Sequence, residues 1–399
     1  KGKVTLESDP PGAEAILERR GEGIAPGTRS LGTCPLREID LPIGAYRVLF
    51  RMPPYPEAWR LLDVRWGETV ALRADLQGVP DERLKEVYEE VKTPFKHGIV
   101  LHGEGGWNVD SPCVFRLGDR WHMLYVRENG VVHETWLAES ADLLDWKPKG
   151  RVLAAGSGGW DDKVLLGTMA FQDPEWGGRG EPGTHDGTAW ISYAGGALDN
   201  RGGALSIGLA GSKTPADPAS WTRHPANPVV RAKAPGAHPF EAAGLLKSVI
   251  VRDEARRSGH PFLMVYEGSD LGGARRLGLA GSDDLLTWTR LGNGPLFDHG
   301  GGISGRPQIV RIGDLWVMFY FGAYWKPKGF DTFACSWDLQ RWTTWGGPDL
   351  VAPSVERSYD DRLAHKPAVV KHGGVVYHFY CGDGGQGRVI ALATSRPLR

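Results

Sequence analysis

WHMLYV (121–126), WISYAG (190–195), FLMVYEG (262–268), WVMFYFG (316–322) and VYHFYCG (376–382) read as one hydrophobic strand written five times. Each alternates large side chains and ends near Tyr or Phe. Each follows another apolar stretch and a turn: CVFRLGD, MAFQDPE, VIVRDEA, QIVRIGD and AVVKHGG. Each precedes a third apolar run: TWLAES, SIGLAGS, LGLAGS, TFACS and IALATS. The first four copies then place a Trp after a turn, at Trp146, Trp221, Trp288 and Trp342. The unit is four antiparallel strands of roughly 55–70 residues, and period-2 alternation with regular turns marks the blade of a propeller. The pattern predicts an all-β fold, a five-bladed β-propeller over residues 98–399. The fifth copy ends after its third strand, and Ile99, Val100 and Leu101 are placed to supply its outer strand and so cover an exposed edge. Four Trps at one blade position read as packing residues.

Composition agrees with this. The chain of 399 residues is rich in Gly (56), Pro (28) and Trp (16), as turn-rich β proteins are. Lys and Arg (47) balance Asp and Glu (48), which excludes a bulk basic surface for nucleic acid or anionic lipid while leaving a local basic pocket open. No run of 18 apolar residues predicts a membrane span. The chain begins at Lys1, with no signal peptide readable from it. Cys34, Cys113, Cys335 and Cys381 have no metal-ligand spacing and read as small buried hydrophobes. GxSxG, P-loop and HExxH patterns are absent.

Residues 1–77 form a separate module of short strands. In TVALRADL, Val70, Leu72 and Ala74 share one face. SDPPGAEAILE, TCPLREIDLPIGAYRVLF and WGETVALRADL together resemble a PEGA domain, a small β-sandwich. The resemblance implies a non-catalytic accessory role on an envelope or secreted protein. Residues 78–97 follow as a helical linker, with Leu84, Val87, Tyr88 and Val91 on one helical stripe.

The first strand of each blade lines a propeller's channel, so pocket residues are sought just before it. Four of these approaches open with an aromatic and an acid: Trp160-Asp161, Phe240-Glu241, Phe297-Asp298 and Tyr359-Asp360. The fifth has Trp107-Asn108. An acid repeated with the blade symmetry serves either a turn or a site. Two acids break the symmetry. Asp110 stands where the other blades have Leu166, Leu246, Gly305 and His365, and Glu241 is the one Glu in its set. Asp110, Glu241 and one of Asp161 and Asp162 are therefore expected to share the funnel, as base or nucleophile, proton donor and tuning acid. Asp173 follows its strand and reads as an outer-turn residue. Lys247, Arg306 and Lys366 occupy one column, with Lys163 and His365 nearby; they either pair with the opening acids or bind an anionic ligand. Trp107 and Trp160 either stack on sugar or pack between blades.

NVDSPCVF (108–115) and the five-fold repeat resemble the five-bladed glycosidases of families 43, 32, 68 and 130. The resemblance implies a catalytic Asp at the start of the first blade, matched by Asp110, and a later Glu, matched by Glu241. It also implies an oligo- or polysaccharide substrate, with no organic cofactor and at most a structural Ca²⁺, for which the chain has no ligand motif. The expectation is a secreted or envelope glycoside hydrolase, acting on a neutral or acidic glycan. A phosphorylase of the same fold and a non-catalytic glycan-binding propeller are the competing readings.

Overall fold

The computed structural model describes residues 1–19, 27–197, 204–385 and 387–398. The chain divides into two compact units, Lys1–Pro80 with Ser336–Thr343, and Asp81–Cys335 with Thr344–Arg399.

The first unit holds a three-stranded sheet (Leu36–Leu41, Gly2–Asp9, Thr69–Asp75) and a four-stranded sheet (Thr28–Thr33, Glu14–Arg19, Gly44–Arg51, Ala58–Val64). Their alternating apolar positions meet in one core that includes Val4, Leu6, Val48, Phe50, Leu62 and Ala74. Val70 and Leu72 pack against that core from the face the alternation assigns them.

In the second unit the helix runs Asp81–Val91 and buries Leu84, Val87 and Val91. Tyr88, on the same stripe, stacks on Trp345 with ring centroids 5.1 Å apart. Near the helix end Glu90 accepts a hydrogen bond from Trp176 Nε1 at 2.7 Å and pairs with Lys371.

The repeated sequence forms five antiparallel strand sets. Their first three strands are Asn108–Leu117, Arg120–Glu128 and His133–Ser140; Val164–Met169, Thr188–Gly196 and Ser206–Ser212; Gly244–Arg252, Phe262–Ser269 and Arg275–Ser282; Ile303–Ile312, Leu315–Ala323 and Gly329–Ser336; and Leu363–His372, Val375–Gly384 and Gly387–Thr394. Phe95–Leu101 pairs with Gly387–Thr394, with Leu101 opposite Ile390, so the N-terminal side of the unit completes its last sheet. The five first strands neighbour one another in cyclic order, and the fifth closes on the first.

The outward turns repeat as well. Ser140 Oγ accepts the Asp142 and Leu143 N–H groups, and Trp146 Nε1 donates to the Leu143 carbonyl at 3.1 Å. Trp288 and Trp342 donate in the same way to Leu285 and Leu339. These Trps are packing residues, as their repetition predicts.

A buried acid, a tyrosine hydroxyl and a base recur between the second strand and the approach to the first. Asp161 accepts from Tyr193 at 2.9 Å and pairs with Arg223 at 2.8 Å. Glu241 accepts from Tyr266 at 3.3 Å, and Arg290 Nε and Nη2 hold its two oxygens at 2.8 and 2.9 Å. Asp360 accepts from Tyr380 at 2.9 Å and pairs with Lys96 at 2.5 Å. Lys96 sits on the closing strand Phe95–Leu101, so this pair fastens the last sheet to the approach of its own first strand. Removing one partner of a buried pair leaves an uncompensated charge. Lys96→Met is expected to cost roughly 3–5 kcal/mol of stability, read by urea denaturation; a loss below about 1 kcal/mol would place this closure among exposed, weak ion pairs.

Candidate active site

Four of the five first strands carry a β-bulge at one equivalent place. The register slips between Asp110 and Cys113, between Leu245 and Ser248, between Gly305 and Gln308, and between His365 and Ala368. Three bulges contain a proline, Pro112, Pro307 and Pro367, which cannot donate to the ladder. The residue before each has a positive φ: 53° at Ser111, 52° at Arg306 and 67° at Lys366. A bulge re-aims a side chain, and a non-glycine residue held at positive φ marks a place where the fold maintains strain. The second set has no bulge and carries Gly167 in that column.

The bulges direct their side chains into a funnel-shaped cavity of about 190 Å³ at the N-terminal ends of the first strands. Asp110, Lys247, Glu267, Arg275, Arg306, Lys366 and Arg388 supply its charge, with His133 and His365 beside them.

Asp110 is buried. Its Oδ2 accepts from Lys366 Nζ and, at 2.9 Å, from Arg388 Nη1, and Ser111 Oγ donates to Oδ1 at 3.3 Å. Burial alone pushes the carboxyl pKa up, but Lys366, Arg388 and His365 together hold it well below the usual carboxylate range. The surrounding cations therefore favour the ionised form of Asp110. Glu267 is 1% exposed. Its Oε2 accepts the Arg306 backbone N–H at 3.0 Å and its Oε1 accepts from Arg275 Nη1 at 3.1 Å. A Cβ at Gly305 would lie 2.5 Å from this carboxylate, so glycine there makes room for it.

His365 is buried, and burial brings its pKa down to about 3. Its Nδ1 lies 3.1 Å from the Cys381 carbonyl, which can only accept, so Nδ1 carries the proton and Nε2 remains a lone-pair acceptor. Lys247 is buried and, among the described residues, has one hydrogen bond, from Nζ to the Gly167 carbonyl at 3.1 Å. Burial and the neighbouring Arg306 bring its pKa down to about 7. At the rim Tyr324 lines the cavity and is 69% exposed. The adjacent Trp325 anchors that turn by donating to the Ile303 carbonyl and stacking on His299 at 3.9 Å.

No family model and no curated protein matches the chain. Solved structures do. One described as "Glycoside hydrolase" is 40% identical, covering 80% of this chain and 97% of its own, with a TM-score of 0.76. An RGII complex of BT0996 is 39% identical over 80% and 97%, with a TM-score of 0.74. The chain belongs to the glycoside hydrolases. A thermostable family-43 glycoside hydrolase, 16% identical over 77% and 97% with a TM-score of 0.54, shares the fold alone.

The glycoside hydrolase brings Asp110, Lys247, Arg306, His365 and Lys366 together as the sequence predicts. It does not bring Glu241, Asp161 or Asp162 to them. Glu241 is fully buried with both oxygens held by Arg290, and Asp161 is held by Tyr193 and Arg223; neither lines the funnel. Asp162 caps its own loop, accepting the Gly158 N–H at 2.6 Å. Asp173 accepts from the Glu175 and Arg179 N–H groups in the turn after its strand. Lys163 does not line the funnel. Trp160 stacks on Tyr193 at 5.7 Å, and Trp107 lies under the Arg127 guanidinium at 5.1 Å; both pack, and Tyr324 is the aromatic at the mouth. Among the described residues no group of three His, Cys, Asp or Glu is placed to hold a metal ion.

Glu267, Arg275 and Arg388 are the residues that reading the first strands missed. Glu267 follows Tyr266 where the other second strands have Val126, Ala194, Phe321 and Cys381. That lone charge in an apolar column is the signal that identifies it. Arg275 and Arg388 sit near the start of third strands, opposite Ser269 and Asp383.

Two substitutions separate the acids. Glu241→Gln is expected to lower stability by a few kcal/mol while the folded fraction keeps its turnover, whereas Glu267→Gln, which also breaks a buried pair, is expected to lose turnover even in its folded fraction. Paired denaturation and kinetic measurements decide this; turnover lost in folded Glu241→Gln would return that residue to the chemistry. Tyr324→Ala is expected to raise KM about tenfold for an oligosaccharide, with Tyr324→Phe near wild type, because the ring face does the stacking.

Proposed function

We propose that the second unit is a five-bladed β-propeller whose funnel hydrolyses a glycosidic bond within a complex polysaccharide, with Asp110 and Glu267 as the working carboxylates. The observation that carries this is the funnel's charge. Of the described residues lining it, Asp110 and Glu267 are the carboxylates, and they come from separate strands of separate sets. Glycoside hydrolysis needs one carboxylate that stays ionised and one carboxyl group that protonates the leaving oxygen. Lys366 and Arg388 keep Asp110 ionised, which suits a base or nucleophile. Glu267 remains to protonate the departing oxygen. His365 Nε2 accepts a substrate hydroxyl, and Tyr324 carries the sugar on the leaving side. The cyclic order of first strands supports the count of five blades. The two small packed sheets of the first unit support a PEGA-like accessory module, with 1–77 and 78–97 as module and linker.

The relative 39% identical was solved as an RGII complex, so RGII is the first substrate to offer. A polymer of this kind is met outside the cell, which supports a secreted or envelope location. No helix among the described residues is long and apolar enough to cross a membrane. Asp110→Asn and Glu267→Gln are each expected to lower turnover by a factor on the order of 10² to 10⁴. Sugar release is followed by chromatography of a glycan panel, and activity surviving both substitutions would overturn the assignment. The surplus of cations in the funnel also favours one second reading, phosphorolysis. Turnover that requires inorganic phosphate and yields a sugar phosphate would select it.

A further inference from the structure

The funnel's charges do not cancel. Five cations, Lys247, Arg275, Arg306, Lys366 and Arg388, face two carboxylates. Asp110 is engaged by Lys366 and Arg388, and Glu267 by Arg275. Among the described residues Lys247 and Arg306 make no ion pair; Asp110 acts on both, and buried Asp331 on Arg306, from beyond ion-pair distance. These two cations are 5% and 3% exposed, and no carboxylate among the described residues lies within ion-pair distance of either. Among the described residues Lys247 bonds only to a carbonyl, and Nε and Nη2 of Arg306 are buried with no hydrogen-bond acceptor. Arg306 lines the funnel, and a guanidinium is suited to an oxyanion.

A buried cation without an ion-pair partner is costly, and a ligand that completes the pair relieves that cost. We infer that Lys247 and Arg306 form an oxyanion-binding subsite within the funnel, filled by a carboxylate, sulfate or phosphate group that arrives with the reaction. This rests on the funnel being the glycosidase site and adds what its substrate carries. The oxyanion has two sources of the same chemistry: a substituent on the bound sugar, as in a uronate or a sulfated residue, or free phosphate as co-substrate. Lys247 titrates near neutrality and is drawn further to its charged form by a bound anion, so binding weakens as pH rises past about 7.

The experiment is calorimetric titration of the intact protein with inorganic phosphate, inorganic sulfate and sodium galacturonate, at pH 6 and pH 8.5. At least one is expected to bind saturably, about tenfold more weakly at the higher pH. Arg306→Met and Lys247→Met are each expected to weaken that binding at least tenfold and to raise the melting temperature of the ligand-free protein, since each removes a buried charge without an ion-pair partner. Glu267→Gln is expected to keep anion binding while losing turnover, so failure of the catalytic assignment and failure of this one read differently. Phosphate-dependent turnover would name free phosphate as the source; phosphate-free turnover confined to acidic glycans would name the sugar. Saturable binding of none of the three, or melting temperatures that fall in both Met variants, overturns the inference.

Discussion

The buried unit of acid, tyrosine hydroxyl and base is the interaction on which the rest of the propeller-type structure depends. At Asp161, Glu241 and Asp360 it ties the approach of a first strand to the second strand of its own set through Tyr193, Tyr266 and Tyr380. The base comes from the outer part of the set, Arg223, Arg290 or Lys96, so one carboxylate gathers three separate pieces of backbone. Removing either partner leaves a charge alone inside, which is more costly than the pair is worth. With the approaches fixed, the first strands start at defined heights around the ring, and a side chain at a given column points to the centre.

On a ring of equivalent strands, chemistry has to come from local departures. The bulges are the first. Pro112, Pro307 and Pro367 each follow a residue with positive φ, turning Ser111, Arg306 and Lys366 out of the ladder. The second departure is single substitutions in apolar columns, Glu267 among Val126, Ala194, Phe321 and Cys381. The two are linked, since the Arg306 N–H freed by its bulge donates to Glu267. The bulge that presents the cation also seats the carboxylate.

This explains which parts of the sequence could be read. Strand order, the closing segment near Leu101 and the helix stripe follow from periodicity, and periodicity survives in a single sequence. Asp110, Lys247, Arg306, His365 and Lys366 were readable because first strands line a channel in any such ring. Glu241 misled because it differs from the other opening acids by one methylene, a change that Arg290 accommodates within a structural role. Glu267 stayed hidden because a second strand ordinarily packs against its neighbours; only the register placing it over Gly305 opens it to the funnel. Trp107 and Trp160 stood at the mouth in sequence, yet their rings turn inward to Arg127 and Tyr193. Direction of a side chain at a loop is set by tertiary packing, which the alternation of a strand does not encode.

The funnel itself carries an energetic conflict. Lys366 and Arg388 hold Asp110 in its ionised form, yet the reaction also needs a carboxyl that releases a proton to the leaving oxygen. Substrate resolves this if it changes the field when it binds. An anionic group beside Lys247 and Arg306 neutralises the two cations that now add to the positive potential of the cavity, and a less positive cavity binds a proton more readily at a nearby carboxylate. The Arg306 backbone donates to Glu267 and Arg306 also lines the cavity, so one residue links the acid to the place where the charge would arrive. In this arrangement the empty funnel carries surplus positive charge, and a substrate that brings its own negative charge offsets it where the cleavage takes place.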